Sequence, residues 1–520
     1  MLPTRRVWTT CSKPWTWAKS KVRQATGPRQ PLQMVSWVRV NPNLQPTSTD
    51  SVGLPLRRFS TLSHPLYPLI ANLARFFTFL SCARLVAGVE SNAFTEACVQ
   101  MTIFKADSST FVRWGAAIER EMDLTQALAA DPHRKRTFRL IGSGEFMEMT
   151  GATGSQWKSW IKKLREEERL PPFSAAQHVK ITLEQMHEFM ERQNVRPSRP
   201  DGVSRGIRVA IANFKGGAAK STTTFHFGTR LAMQGYKVLL VDLDGQATLT
   251  RMLALQPYLL KSEQTFAAAI GMQDDGDDVV SGEPLPLSPM RTYISGLDIV
   301  PAGMAVTSID MELMQRIREG SSDQVYGLFE EALAGVDTNY DFVLMDFQPS
   351  FSLSQLLVLR LADSILLPVP TETPDLAGTG DFMKLAGRWL GQLESLFGSK
   401  SFDPVMALHV RSKARNALGD QKLTDKERSE IEEQLQVSNA VFGMAGRVFG
   451  NHRPMQLVED RPVVGACLAN LKSVYEADQS DYDLRAIKVA RQQYDVLLAR
   501  VMEAVQLRWQ EVLANGGRYA

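Results

Sequence analysis

Two lysines and three aspartates stand at spacings that suit phosphate chemistry. The run Lys215-Gly-Gly-Ala-Ala-Lys-Ser-Thr sets Lys220 directly before a hydroxyl residue, Ser221, at the end of a glycine-bearing loop. Such a loop offers backbone N–H groups to phosphate oxygens. Its lysine supplies a point charge for β/γ-phosphates, and its hydroxyl a ligand for Mg²⁺. Downstream, Lys237-Val-Leu-Leu-Val-Asp-Leu-Asp-Gly-Gln carries Asp242 and Asp244, and Tyr340-Asp-Phe-Val-Leu-Met-Asp-Phe-Gln-Pro carries Asp346. Carboxylates beside a phosphate site hold a metal or orient a water. The strict pattern G-x-x-x-x-G-K-[ST] fails here, because Phe214 and Ala219 occupy its two glycine positions.

The elements that must position these groups follow from the apolar runs. Ile207-Arg-Val-Ala-Ile-Ala-Asn is a short run of buried-strand type leading into the loop, and a helical pattern follows through Leu231 and Ala232. Each acid likewise closes an apolar run. An acid after an apolar strand is common by chance; strand–loop–helix followed in order by two strand-end acids is not. All three elements then lie on one edge of a parallel sheet, where ligands bind in doubly wound folds. The expected fold is α/β: a doubly wound, mostly parallel P-loop sheet with helices on both faces.

The loop resembles the deviant Walker A motif, K-G-G-x-x-K-[ST], of the ParA/MinD group of P-loop ATPases. That resemblance implies ATP and Mg²⁺ as cofactors, with Lys215, Gly216, Gly217, Ala218, Ala219, Lys220, Ser221 and Thr222 around the nucleotide. It implies that Lys215 reaches the phosphates of a partner subunit in an ATP homodimer. It assigns Lys215, Lys220 and Asp244 to catalysis, Asp244 by orienting the attacking water, and Ser221, Asp242 and Asp346 to the metal shell. The chain departs from the family at Ala219, where glycine is usual, at Gly245, where the V-D-x-D-P-Q motif has proline, and at Phe347-Gln348 before Pro349. The resemblance continues through Ala362-Asp-Ser-Ile-Leu-Leu-Pro-Val-Pro and Arg461-Pro-Val-Val-Gly-Ala-Cys, and so spans roughly 101–520.

Ahead of the nucleotide motifs, residues 101–193 suggest a DNA-binding domain. Residues 113–130 have helical periodicity, with Trp114, Ala117, Ile118, Met122 and Leu124 near one face, and Arg134-Lys-Arg-Thr-Phe-Arg-Leu is a basic strand candidate. Ser143 is expected to cap one short helix and Ser155 a second, joined by the turn Thr150-Gly151-Ala152. The second helix would bury Trp157, Trp160, Ile161 and Leu164 and present Gln156, Lys158, Ser159, Lys162 and Lys163 outward. Two short helices around a glycine turn, the second cationic, suit a helix-turn-helix whose second helix enters the major groove. An ordinary helical hairpin with solvated lysines is the alternative. With the strand Val179-Lys-Ile-Thr and a helix capped by Thr182, the order resembles a MerR-like winged helix-turn-helix. This domain points to the larger plasmid partition proteins, called ParA or RepA. The expected partners are then DNA, bound both at an operator and without sequence preference, and a ParB/RepB-type centromere-binding protein. The expected location is cytoplasmic and nucleoid-associated.

Composition bounds the rest. The 520 residues carry a formal charge of +3 and only four cysteines, with no C-x-x-C, which excludes a disulfide scaffold, a zinc ribbon and a thioredoxin-type site. Residues 1–100 hold 12 Lys/Arg against 3 Asp/Glu, so the remaining 420 residues sum to about −6. That proline-broken basic extension is expected to be a disordered arm or translated upstream sequence. Arg196-Pro-Ser-Arg-Pro-Asp-Gly within 194–206 reads as a linker, leaving 207–520 as the ATPase domain. Asp310 and Glu312 are expected to be solvated helix charges, His226 to pack on the sheet, and Asp274-Asp-Gly-Asp-Asp to form an exposed acidic loop. The C-terminal helix 489–514 is expected to pack rather than target a membrane. Arg447, Arg453 and Lys472 are candidate contacts for arbitrary duplex. The rival functions are a repressor switched by nucleotide and a MinD-like membrane ATPase.

Overall fold

The computed structural model describes residues 108–111, 113–115, 117–118, 136–171, 179–213, 216–275, 278–319, 322–350, 352–370, 373–413, 424–449, 455–478 and 482–519. The basic extension, Arg453, Phe214 and Lys215 lie outside them. Residues 106–520 form one compact unit.

The strands are β1 (Ile141–Gly142), β2 (Lys180–Ile181), β3 (Ile207–Ile211), β4 (Val238–Asp242), β5 (Met272–Asp275), β6 (Asp278–Ser281), β7 (Met290–Arg291), β8 (Leu297–Val300), β9 (Phe342–Asp346), β10 (Ser364–Pro370), β11 (Val405–Lys413) and β12 (Met455–Asp460). Eight of them form one sheet in the order β12-β11-β10-β3-β9-β4-β8-β7, parallel except for the β7 edge. Every residue of β3, β4 and β9 is buried, as expected for central strands covered on both faces. Side chains alternate between two cores. Val209, Leu240, Leu344 and Leu366 meet helix Lys220–Gln234, the C-terminal helix Leu484–Ala514 and the N-terminal segment. Ala210, Val241, Val343 and Leu367 meet the helices that begin at Ile309, Ser322, Leu353 and Thr373.

The C-terminal helix buries Tyr494, Leu498, Val505 and Trp509, the last against Phe342 of β9. Its apolar face is therefore core, and no described helix is long and apolar enough to cross a membrane.

The N-terminal elements are helix Ser143–Thr150, helix Gly154–Glu166, the antiparallel pair β1–β2 and helix Leu183–Arg192. Gly151 ends the first helix in the left-handed region, at φ 68°, where glycine carries no Cβ penalty. The expected caps differ by one or two residues. Gly142 precedes the first helix without a side-chain cap, and Thr153, not Ser155, caps the second in a reciprocal capping box with Gln156. Thr182 caps the third helix in the same manner with Gln185. Phe146, Trp160 and Phe189 form the small core of these helices. The basic strand candidate 134–140 is not a strand where it is described: residues 136–140 are irregular, 134 and 135 lie outside the described residues, and β1 follows at Ile141. Trp114 and Ile118, on the expected inner face of the first helical pattern, are 49% and 61% exposed.

Packing engages the linker and corrects other expectations. The linker is tied to the sheet: the backbone N–H of Arg199 donates to Asp341, and its guanidinium donates to the carbonyls of Val203, Thr338 and Tyr340. Asp310 accepts from the Ser354 N–H, and Glu312 pairs with Arg316, so neither is merely solvated. The acidic stretch pairs as the β5–β6 hairpin. His226 faces the C-terminal helix rather than the sheet, stacked 4.3 Å from Tyr494.

Candidate functional site

β3, β9 and β4 are adjacent, and their ends carry the site. Asp346 pairs in register with Ile211 on one side and Asp242 on the other. Beyond β3, Gly217 and Ala219 both take left-handed backbone, at φ 75° and 59°. At Ala219 this costs roughly 1–2 kcal/mol, which accounts for glycine being usual there. The turn delivers Lys220 as the first residue of helix Lys220–Gln234. Lys220 is only 6% exposed; burial pulls its ammonium pKa down, while the charges of Asp346 and Asp244 oppose that shift.

The three acids have different surroundings. Asp242 is fully buried: Oδ1 accepts from the Asp244 N–H at 3.1 Å, and Oδ2 from the N–H and hydroxyl of Thr250 at 2.9 and 2.7 Å. Burial pushes its pKa up to about 6, opposed by those hydrogen bonds. It braces the strand end through these bonds. Asp244 commits Oδ1 to the Gln246 N–H at 2.9 Å, and Oδ2 takes no hydrogen bond among the described residues. Asp346 Oδ1 lies 3.5 Å from Thr224 Oγ1, and the neighbouring Ser221 hydroxyl favours its charged form. Burial, then the neighbouring Asp242 charge, hold it well above the usual carboxylate range.

Asp346 Oδ2 is buried with no hydrogen-bond partner among the described residues. A buried carboxylate oxygen left unsatisfied is costly, and a cation meets that need. No cluster of three or more metal-ligating side chains exists among the described residues. One carboxylate and one hydroxyl suit Mg²⁺, which takes few protein ligands and completes its shell with phosphate oxygens and water. The donor set thus fits a Mg-nucleotide.

Lys220, Ser221, Asp242, Asp244 and Asp346 therefore come together, with Gly216, Gly217, Ala218 and Ala219 in the turn and Thr222 in the first turn of the helix. Thr224 and Thr250 were not foreseen. Thr224 lies one helical turn after Lys220, whose carbonyl it bonds at 3.0 Å, a spacing that could have marked it. Nothing local marks Thr250, whose partners depend on the fold.

On helix Gly154–Glu166, Lys158, Ser159 and Lys162 are exposed and Lys163 is half-buried. Gln156 is drawn into the cap: its side-chain carbonyl accepts from the Thr153 N–H at 2.8 Å. Lys162 and Lys163 sit 3.8 Å from Glu166 and Glu167. Arg447 is exposed on helix Asp425–Phe449, and Lys472 is half-buried in the loop after helix Pro462–Ala469.

The AAA domain family matches residues 207–393. A Sinorhizobium fredii protein described as a replication protein A is 25% identical over 409 residues, 76% of this chain and 93% of that protein. The chromosome partitioning protein ParA of Caulobacter vibrioides is 30% identical over 220 residues, 42% of this chain and 74% of its own. Protein SopA of Escherichia coli is 25% identical over 315 residues, 58% and 76% of the two chains.

Proposed function

The chain belongs to the ParA/MinD superfamily of P-loop ATPases, in its DNA-partition branch, and we propose that it segregates plasmid DNA through a cycle of ATP binding and hydrolysis. The observation that carries the chemistry is the convergence of Lys220, at the start of its helix, with Asp244 and Asp346, at the ends of adjacent strands, Asp346 Oδ2 being unsatisfied among the described residues. In this reading Lys220 neutralises the phosphates in cis, and Asp244, through its uncommitted oxygen, orients the attacking water. Ser221 and Asp346 would hold Mg²⁺, which supplies charge neutralisation on the phosphate oxygens. Asp242 keeps the Asp244 loop in place. Lys215 acts across an ATP homodimer. That dimer holds arbitrary duplex through the C-terminal half, and a ParB/RepB-type partner stimulates hydrolysis and release in the cytoplasm, at the nucleoid.

The N-terminal helices support operator binding and control of the protein's own operon by a winged helix-turn-helix. A second reading, a repressor in which nucleotide is chiefly a switch, is favoured by one contact. His187, on the third N-terminal helix, bonds Ala232 near the end of the helix that begins at Lys220.

The test is co-sedimentation with random-sequence duplex beads in ATP, ADP and a non-hydrolysable analogue, with turnover measured in parallel. ATP-dependent retention that ends on hydrolysis is expected. Retention independent of nucleotide would overturn the partition reading in favour of the repressor.

A further inference from the structure

We propose that Thr307 is a positioning residue for catalysis, holding the Asp244 loop in place through contact with Gly245. The inference rests on the reading of Asp244 as the water-orienting acid. Gly245 follows Asp244, yet its φ lies outside the left-handed region, so backbone freedom does not explain a glycine there. Space does. A Cβ at this position would stand 2.3 Å from Thr307 Cγ2, 3.5 Å from its Cβ and 3.7 Å from its backbone nitrogen. The Thr307 hydroxyl donates to the Met304 carbonyl at 2.6 Å, so the methyl cannot turn away without breaking that bond.

The same segment grips the loop at its far end. The Ala302 N–H donates to Thr250 Oγ1 at 2.9 Å, and the Thr250 hydroxyl in turn donates to Asp242 Oδ2 at 2.7 Å. Between these grips the loop closes on itself, with the Ala247 N–H donating to the Asp244 carbonyl at 2.7 Å. Asp244 is therefore held on one side by its N–H bond to Asp242 and on the other by the packing of Gly245 on Thr307. A loop clamped at both ends fixes its acid to the fraction of an ångström that water orientation requires.

The experiment is a double-mutant cycle on the full chain. Gly245→Ala should lower kcat by about tenfold or more, since a misplacement of about 1 Å costs up to about 100-fold, while ATP affinity in a direct binding assay stays within about twofold. Thr307→Ser keeps the hydroxyl but removes the methyl that meets Gly245, and should alone lower kcat by about two- to fivefold, because the loop loses that contact, while ATP affinity is unchanged. Gly245→Ala with Thr307→Ser should recover most of the kcat. Undiminished kcat in Gly245→Ala, a fall that Thr307→Ser does not restore, or a fall in ATP affinity matching the fall in kcat would each overturn the proposal. Asp244→Ala separates the two levels: if it still turns over normally, the underlying role of Asp244 fails, whereas its inactivity beside a fully active Gly245→Ala sinks only the positioning by Thr307.

Discussion

His187 Nε2 lies 2.8 Å from the carbonyl oxygen of Ala232, so an N-terminal helix is bonded to the last turn of the helix that starts at Lys220. With Nε2–H donating, Nδ1 is left to accept from the Ser295 hydroxyl at 3.1 Å. The nucleotide loop and the N-terminal helices therefore share one rigid element, some 15 residues long.

That bond predicts a pH dependence. Burial, with the charge of Arg196, lowers the His187 pKa from 6.5 to about 4. Its folded pKa is depressed, so the unfolded chain binds the extra proton first as pH falls. The stabilisation is fully present above about pH 6.5 and disappears as pH drops towards 4. It amounts to roughly 3 kcal/mol at about 1.4 kcal/mol per pKa unit. Urea unfolding of the parent should weaken over this window. His187→Gln should reduce the slope by up to about 1.4 kcal/mol per pH unit. An unchanged slope would show that His187 does not titrate as a buried neutral ring. His226, whose pKa burial also lowers to about 4, should behave in the same way on the C-terminal side.

Lys220 and Asp244 should separate binding from hydrolysis. Lys220→Ala removes the cation facing Asp346 and Asp244, leaving those acids to repel the nucleotide phosphates. ATP binding should be abolished, and an unchanged affinity by fluorescent-nucleotide titration would refute the site. Asp244→Ala should retain ATP while turnover falls by about 100-fold or more, the scale on which general acid–base and positioning groups act.

Ala219 tests the loop's departure from the family. Its φ of 59° is strained for a side chain, while glycine would add flexibility to the unfolded chain. The strain of about 1–2 kcal/mol is at least as large as the glycine entropy cost of about 0.4–1 kcal/mol, so Ala219→Gly should stabilise the protein by up to about 1.6 kcal/mol. Chemical denaturation in the absence of nucleotide is the measurement. A lower midpoint would mean that the loop does not hold this conformation in solution.

The strand ends were legible because an apolar run closed by an acid is a local pattern, and a strand–loop–helix followed in order by two such ends implies a shared edge. Thr250, Thr307 and His187 were not, since their partners lie far along the chain: Ala302, Gly245 and Ala232. The cap at Thr153 was missed for a different reason. Thr153 and Ser155 both have suitable hydroxyls, and only Thr153 stands three residues before a glutamine that can return the bond. Nor does composition reveal that Arg199 ties the proline-rich linker down by donating hydrogen bonds to carbonyls distant in sequence.

DNA binding should divide into two activities with different salt responses. Gln156 is engaged in its cap, so Lys158 and Ser159 are the exposed side chains left to read base edges near the start of helix Gly154–Glu166. Base-edge contacts confer sequence preference, whereas phosphate contacts confer affinity that falls steeply with salt. Lys158→Ala with Ser159→Ala should erase preference for the operator while leaving ATP-dependent binding to random duplex. Arg447→Ala should instead weaken the ATP-dependent binding alike for all sequences. It should lower the salt slope by up to about 0.9 for each phosphate that the protein no longer neutralises. Fluorescence anisotropy with promoter-proximal and scrambled duplexes, with and without ATP across a salt series, distinguishes them. A proportional decline of both activities in both variants would mean a single DNA surface, because two independent sets of DNA-binding residues cannot fail together when only one has been altered.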